Sequence, residues 1–284
     1  MDMGEPGKRV LLAVLAHPDD ESFGLGGTLA YYARQGVDVY LVCATRGEVG
    51  EVPPEMLEGY ASVAELREAE LRCAVDVLGI KGLFLLGYRD SGMAGSPENG
   101  HPQALAAAPL EDVADAIAEH MRRLQPQVVL TFDPNGGYFH PDHIAIHRAA
   151  KRAFEMLQEK KRANGYAPQK LYFHLVPRWW AQLGVWSMRL SGKDPRRMGR
   201  NGDIDLLAVL AEKFPVNARI DVDGVYTERM KAFACHASQG GGAAGGRLGE
   251  WFSRWLSRKD LFMRGAPDPG AGKVERDLFE GVQF

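Results

Sequence analysis

Hydrophobic positions in roughly the first 175 residues fall into two periods that alternate along the chain. Short apolar runs, several rich in valine, read as buried strands: VLLAVLA (10–16), VDVYLVCAT (37–45), GLFLLG (82–87), QVVLTFD (127–133) and KLYFHLVP (170–177). The stretches between them, 24–35, 60–79, 109–125 and 142–163, read as helices. Gly36 and Gly79 stand just past the first two, where a helix should stop. Strand and helix alternating in this way imply a parallel sheet with right-handed crossovers. The expected fold class is α/β: a Rossmann-like, doubly wound, mostly parallel sheet with helices on both faces, spanning residues 1–177.

Residues 178–284 lose that regularity and are expected to complete a pocket and lid within the same globule. PRWWAQLGVWSMRLSGKDPRRMGRNGD (177–203) has scattered basic residues and no clean period; Trp179 and Trp180 are expected in core or lid packing rather than as a sugar platform. ASQGGGAAGGRLG (237–249) reads as a mobile loop and EWFSRWLSRKDLFMR (250–264) as an amphipathic helix. GAPDPGAGK then reads as an exposed linker into a short tail. No internal repeat is visible.

Two of the expected strands end in polar bursts. The first breaks into His17, Pro18, Asp19, Asp20 and Glu21, and the fourth runs through TFDPNGGYFHPDH to His140, Asp142 and His143. Carboxylates this close repel unless a cation or a proton manages the charge. In a sheet of order 3-2-1-4-5 the first and fourth strands are neighbours, and their carboxyl ends flank the crevice where ligands bind. The bursts, about 120 residues apart, then converge. Two imidazoles and one carboxylate make a three-ligand metal site with an open position for water, and a second carboxylate can take that water's proton. The spacing does not decide which aspartate is which. GLGG (24–27) lacks the full dinucleotide-binding spacing and reads as tight helix entry.

At these residues the chain resembles the PIG-L/LmbE-like family of zinc-dependent N-acetylglucosaminyl deacetylases. The motifs are AHPDDE (16–21) and HPDH (140–143); RDSGMAG (89–95) and TFDPNGGYFHPDH (131–143) look like the deacetylase and amidase of mycothiol metabolism. KAFACHASQ (231–239) is similar to the family's C-terminal segment. The resemblance implies His17, Asp20 and His143 as metal ligands, Asp19 as general base, and His140 as the charged group that holds the oxyanion and protonates the leaving amine. It implies substrate contacts at Arg67, Asp90, Tyr138 and His236. Asp142 would either keep His140 protonated or cap the helix that follows. Glu21 is expected beside the ligands rather than among them, and His147, four residues beyond His143, is the alternative ligand on the same helical face.

Composition narrows the functions. A net charge of −3 gives no electrostatic reason to expect nucleic acid or an anionic membrane as partner. No apolar run is long enough to span a bilayer, so a cytoplasmic protein is expected. Cys43, Cys73 and Cys235 are far apart and form no CxxC pair, which argues against a disulfide framework and against a thiolate zinc site. The activity that the resemblance implies is hydrolytic removal of the N-acetyl group from a GlcNAc conjugate such as GlcNAc-inositol or GlcNAc-malate. The expected cofactor is Zn2+, with Fe2+ as the alternative metal. The expected partner is a small amino-sugar conjugate, and a homo-oligomer is compatible with the sequence. The rival readings are amidase action on thiol S-conjugates of the same sugar, a non-haem Fe(II) oxygenase, and metal or sugar binding without catalysis.

Overall fold

The computed structural model describes residues 7–161, 165–199, 202–241, 254, 257–270, 272 and 274–284. Five strands pair in parallel: β1 (Val10–Leu15), β2 (Asp38–Cys43), β3 (Gly82–Leu85), β4 (Val128–Phe132) and β5 (Lys170–Leu175). The sheet order is β3-β2-β1-β4-β5, continued beyond β5 by β7 (Lys259–Ala266) and β6 (Ala218–Asp221), so β1 and β4 are neighbours, as expected. Their runs are buried on both faces because both faces carry helices. Leu11, Ala13 and Leu15 join the core under α2 (Gly26–Arg34), α3 (Val63–Leu78) and α9 (Tyr226–Cys235). Leu12 and Val14 point the other way, into the core under α4 (Leu110–Leu124) and α6 (Pro141–Glu159). Full burial of each such Leu or Val side chain contributes about 1.5–3 kcal/mol.

Local signals set the helix that matters most for the site. Ser62 caps α3 by accepting from the Glu65 N–H, and the Glu65 side chain reaches back to the Ala61 N–H. The first burst runs from the end of β1 into the short turn α1 (Asp20–Phe23); the second follows the turn α5 (Gly136–Phe139) and opens α6, with His140 as its N-cap and Asp142 and His143 in its first turn.

The second half departs from expectation in several ways. Residues 259–266, expected to be helix and then linker, form strand β7 (Lys259–Ala266), which pairs antiparallel with β5 and with β6 (Ala218–Asp221). Asp260 and Phe262 are buried while Lys259 is exposed, so the local burial follows a strand's period of two. Most of 250–256 and all of 242–249, the core of the expected mobile loop, lie outside the described residues. The expected tail is instead part of the fold: Leu278 and Phe279 are buried in the α2 side of the core. Trp179 and Trp180 are exposed on α7 (Arg178–Leu190), whose Ala181 and Val185 face inward against α8 (Leu206–Ala211). The cysteine reading is also corrected. Cys73 and Cys235 form a disulfide, because α3 and α9 pack side by side and bring residues 162 apart in sequence to a Cα separation of 5.9 Å. Cys43 is free and buried. Among the described residues no helix is long and apolar enough to cross a membrane.

Candidate metal centre

The carboxyl ends of β1 and β4 bring the two bursts together. His17 Nδ1 lies 3.1 Å from His143 Nε2. Asp20 lies between them, with one oxygen 3.2 Å from His143 Nε2 and the other 3.6 Å from His17 Nδ1. A tetrahedral cation with ligands at about 2.0–2.1 Å separates its ligand atoms by about 3.4 Å; the two nitrogens stand near that spacing, and Asp20 reaches each of them through a different oxygen, of which Oδ2 also accepts the His17 N–H at 2.7 Å. The outer nitrogens of both rings are already held. His143 Nδ1 is 3.1 Å from the Gly136 carbonyl, and His17 Nε2 is 3.0 Å from Asp142 Oδ2. Each ring therefore turns its other nitrogen towards the shared point. Gly136 makes this approach available: it has φ of +61°, and a Cβ there would stand 2.6 Å from the His143 Cβ.

The electrostatics favour positive charge at this point. Burial opposes ionisation of Asp20, but His143 and His17 outweigh it and hold the carboxyl well below the usual range. Burial likewise opposes a charged His17, yet Asp90 and Asp142 raise its imidazole well above the ordinary value. The nitrogens of His17, His140 and His143 also cluster closely enough to share an ion, as do donor atoms of His17, Asp90 and Asp142. His140 Nδ1 accepts the Asp142 N–H, which leaves Nε2 without that engagement, and Asp142 accepts from the Ser91 N–H, the Ser91 hydroxyl and His17.

Asp19 stands at the entry to α1 with a strained φ of 124°. Its N–H donates to Glu21 Oε2 at 3.0 Å, and its Oδ2 accepts from Arg67 Nη2 at 2.8 Å. Burial pushes its carboxyl up to about 6 despite Arg67. Arg67, expected to face a sugar, is buried. Its two terminal nitrogens donate to Asp19 and to the carbonyls of Pro18 and Gly47, while Nε has no hydrogen-bond partner among the described residues. Gly47 permits this: its φ is +65°, and a Cβ would lie 2.0 Å from Arg67 Nη1. His236, expected in the pocket wall, is 0% exposed and meets Glu21 Oε1 at 2.6 Å. Glu21 thus links His236 to the Asp19 backbone. Glu70 accepts from both the N–H and the hydroxyl of Ser238.

His140 is held through one ring nitrogen. Because Nδ1 accepts the Asp142 N–H at 3.2 Å, its hydrogen is on Nε2. Burial, with His17 and His143 alongside, pushes its pKa down to about 2. Both effects favour the neutral ring, and the Asp142 side chain faces His17. The cap of α6 is likewise His140, not Asp142. Tyr138 stands edge-on to His143 and His140, with ring centroids 5.1 and 6.0 Å away. Its turn is pinned by Asp133, whose Oδ1 accepts from the N–H groups of Asn135 and Gly137. Asp90 Oδ1 accepts the Gly92 N–H and lies 3.5 Å from His17 Nε2. His147 turns away from the cluster: its Nδ1 is 2.8 Å from the Phe132 carbonyl. Sequence reasoning passed over Ser91 and Asp133. Their signals were the serine inside RDSGM and the aspartate two and four residues before backbone groups in a Gly-Gly turn.

Known proteins share this arrangement of sequence and fold. The family described as PIG-L, GlcNAc-PI de-N-acetylase, matches residues 12–154. A protein of Acidothermus cellulolyticus named 1D-myo-inositol 2-acetamido-2-deoxy-alpha-D-glucopyranoside deacetylase is 36% identical, covering 96% of this chain and 95% of its own. One of the same name from Salinispora arenicola is also 36% identical, covering 98% and 92%. In fold, the chain is similar to N,N'-diacetylchitobiose deacetylase from Pyrococcus horikoshii, with a TM-score of 0.59 at 19% identity over 91% of this chain and 84% of that one. It is similar to the 4-carboxy-2-hydroxymuconate hydratase GalB from Pseudomonas putida at a TM-score of 0.58 and 19% identity over 91% and 97%, so the fold alone does not fix the reaction. The family match over half the chain and the relatives along nearly its whole length agree: the chain belongs to the PIG-L family of de-N-acetylases.

Proposed function

We propose that this protein is a metal-dependent hydrolase that removes the N-acetyl group from a GlcNAc-inositol conjugate. The observation that carries the reading is the meeting of His17 Nδ1, His143 Nε2 and the Asp20 carboxylate, with Asp19 adjacent to Asp20 in sequence. The names of the relatives supply the substrate class. His17, Asp20 and His143 would hold the cation, and their two nitrogens and one oxygen suit zinc, with ferrous iron as the alternative. When bound, the cation would polarise the acetyl carbonyl and make water acidic enough to ionise near neutral pH.

The chain's own groups account for the proton traffic. Asp19 takes a proton from the attacking water as its oxygen bonds to the acetyl carbon. Its raised affinity for that proton lets it hold the proton and pass it to the amide nitrogen as the C–N bond breaks. His140 Nε2–H donates to the oxygen that gains charge, as a neutral imidazole can at a helix N-terminus. The products are acetate and a primary amine. Asp90 and Tyr138 contact the sugar and the reacting group; Arg67 and His236 act one step back, through Asp19 and Glu21. The reading places the enzyme in the cytoplasm, with a small amino-sugar conjugate as its partner and residues 178–284 completing the pocket. Zinc-loaded protein incubated with GlcNAc-inositol should release acetate and primary amine in equal amounts. Substrate left intact under those conditions, and under the same conditions with ferrous iron, would overturn the proposal.

A further inference from the structure

The Cys73–Cys235 bond joins the two elements that support the base. Glu70, one helical turn before Cys73 on α3, accepts from the Ser238 N–H at 2.8 Å and the Ser238 hydroxyl at 2.7 Å. His236, the residue after Cys235, meets Glu21 at 2.6 Å, and Glu21 accepts the Asp19 N–H at 3.0 Å. Within four residues, 235–238, the chain is therefore fixed once covalently and twice by buried polar contacts. Cys73 is exposed and Cys235 half-buried, so a small thiol can reach the bond, whereas Cys43 is sealed in the core. Disulfides in a reducing compartment are uncommon, and accessible ones are the labile kind.

We propose that Cys73 and Cys235 form a reversible redox site that tethers the His236–Gln239 turn to α3 and thereby sets catalytic efficiency. The reductant is a dithiol. One of its thiolates attacks a sulfur of the pair and forms a mixed disulfide. Its second thiol then displaces the protein sulfur and leaves as a cyclic disulfide. The protein gains two electrons and two protons, and Cys73 and Cys235 become thiols. In the reduced state the turn keeps its non-covalent contacts, to Glu21, Glu70, Phe23 and the Glu51 carbonyl, but loses the covalent anchor, and the link from His236 through Glu21 to Asp19 loosens.

The activity readout rests on the deacetylase reading; the labelling and exchange readouts do not. The full chain is equilibrated under native conditions in buffers of reduced and oxidised dithiothreitol, then alkylated and weighed. Cys73 and Cys235 should become labelled together and reversibly while Cys43 stays unlabelled. Amide hydrogen exchange over 235–241 should speed up in the reduced protein. The value of kcat/KM should fall by roughly threefold or more on reduction and return on reoxidation. Cys73→Ser and Cys235→Ser should be fixed at the reduced value and insensitive to dithiothreitol; if either fails to fold, the wild-type titration decides alone. Free thiols at both positions in the air-oxidised protein, or a bond that reduces only on unfolding, would overturn the proposal. So would unchanged exchange over 235–241, or unchanged kcat/KM in an active enzyme. Activity absent in both redox states would count against the deacetylase reading, while labelling and exchange would still judge the tether.

Discussion

Substituting Asp142 by asparagine keeps the shape of a wholly buried side chain and removes its charge. Oδ2 accepts from the Ser91 N–H at 2.8 Å and faces His17 Nε2 at 3.0 Å, while Oδ1 accepts the Ser91 hydroxyl. An asparagine can leave its oxygen at the first position and turn its amide nitrogen towards Ser91 Oγ, so the packing survives. The His17 ring then loses its anionic partner but not its orientation. Outer carboxylates of this kind are worth 10–100-fold in metal affinity, or about 1.4–2.7 kcal/mol. Zinc affinity of Asp142→Asn, measured by competition with a chromophoric chelator, should therefore fall within that range. Affinity within twofold of wild type would show that His17 is not a ligand supported by Asp142. A loss beyond about 1,000-fold would point to Asp142 as a ligand itself, well above the effect of an outer partner.

Asp19→Ala should bind zinc like the wild type and lose about 10²–10⁴-fold in kcat, seen by acetate release; unchanged turnover would remove Asp19 as the base. Gly47→Ala places a Cβ 2.0 Å from Arg67 Nη1 at a φ of +65°. It should lower stability by roughly 1–3 kcal/mol and reduce kcat, and wild-type urea melting would contradict the close approach. His174 is pushed down to about 4 by burial, so it stays neutral in the fold and binds a proton on unfolding. The stability it supplies is present above pH 6.5 and is lost as pH falls towards 4; the loss is on the order of 2 kcal/mol in urea titrations, and His174→Asn should flatten that slope.

The parallel half of the fold was legible because its central strands β1 and β4 are buried on both faces and α2 and α3 stop at Gly36 and Gly79. VLLAVLA and QVVLTFD could only be interior strands, and their adjacency then placed both polar bursts together. β7 was hidden because KDLFMRGA combines strand alternation with residues that also suit an amphipathic helix; pairing with β5 and β6 decides the matter. The Cys73–Cys235 bond was invisible for the same reason, since only the docking of α9 on α3 brings the thiols together. At the site, motif spacing brought out the residues that gather. It could not assign their partners. Whether Arg67 faces a sugar or Asp19, and whether Asp142 serves His140 or His17, depends on side-chain directions that a linear motif does not record.

The central claim is that this cluster, once it holds a metal, deacetylates a GlcNAc-inositol conjugate. Protein stripped with a chelator and titrated with zinc, with acetate release from GlcNAc-inositol as the readout, tests it most directly. Activity should be absent at the start, rise with added zinc, and level off at about one equivalent per chain, as a single three-ligand site requires. Full activity in the stripped protein, or none at any zinc level with the substrate recovered intact, would contradict it.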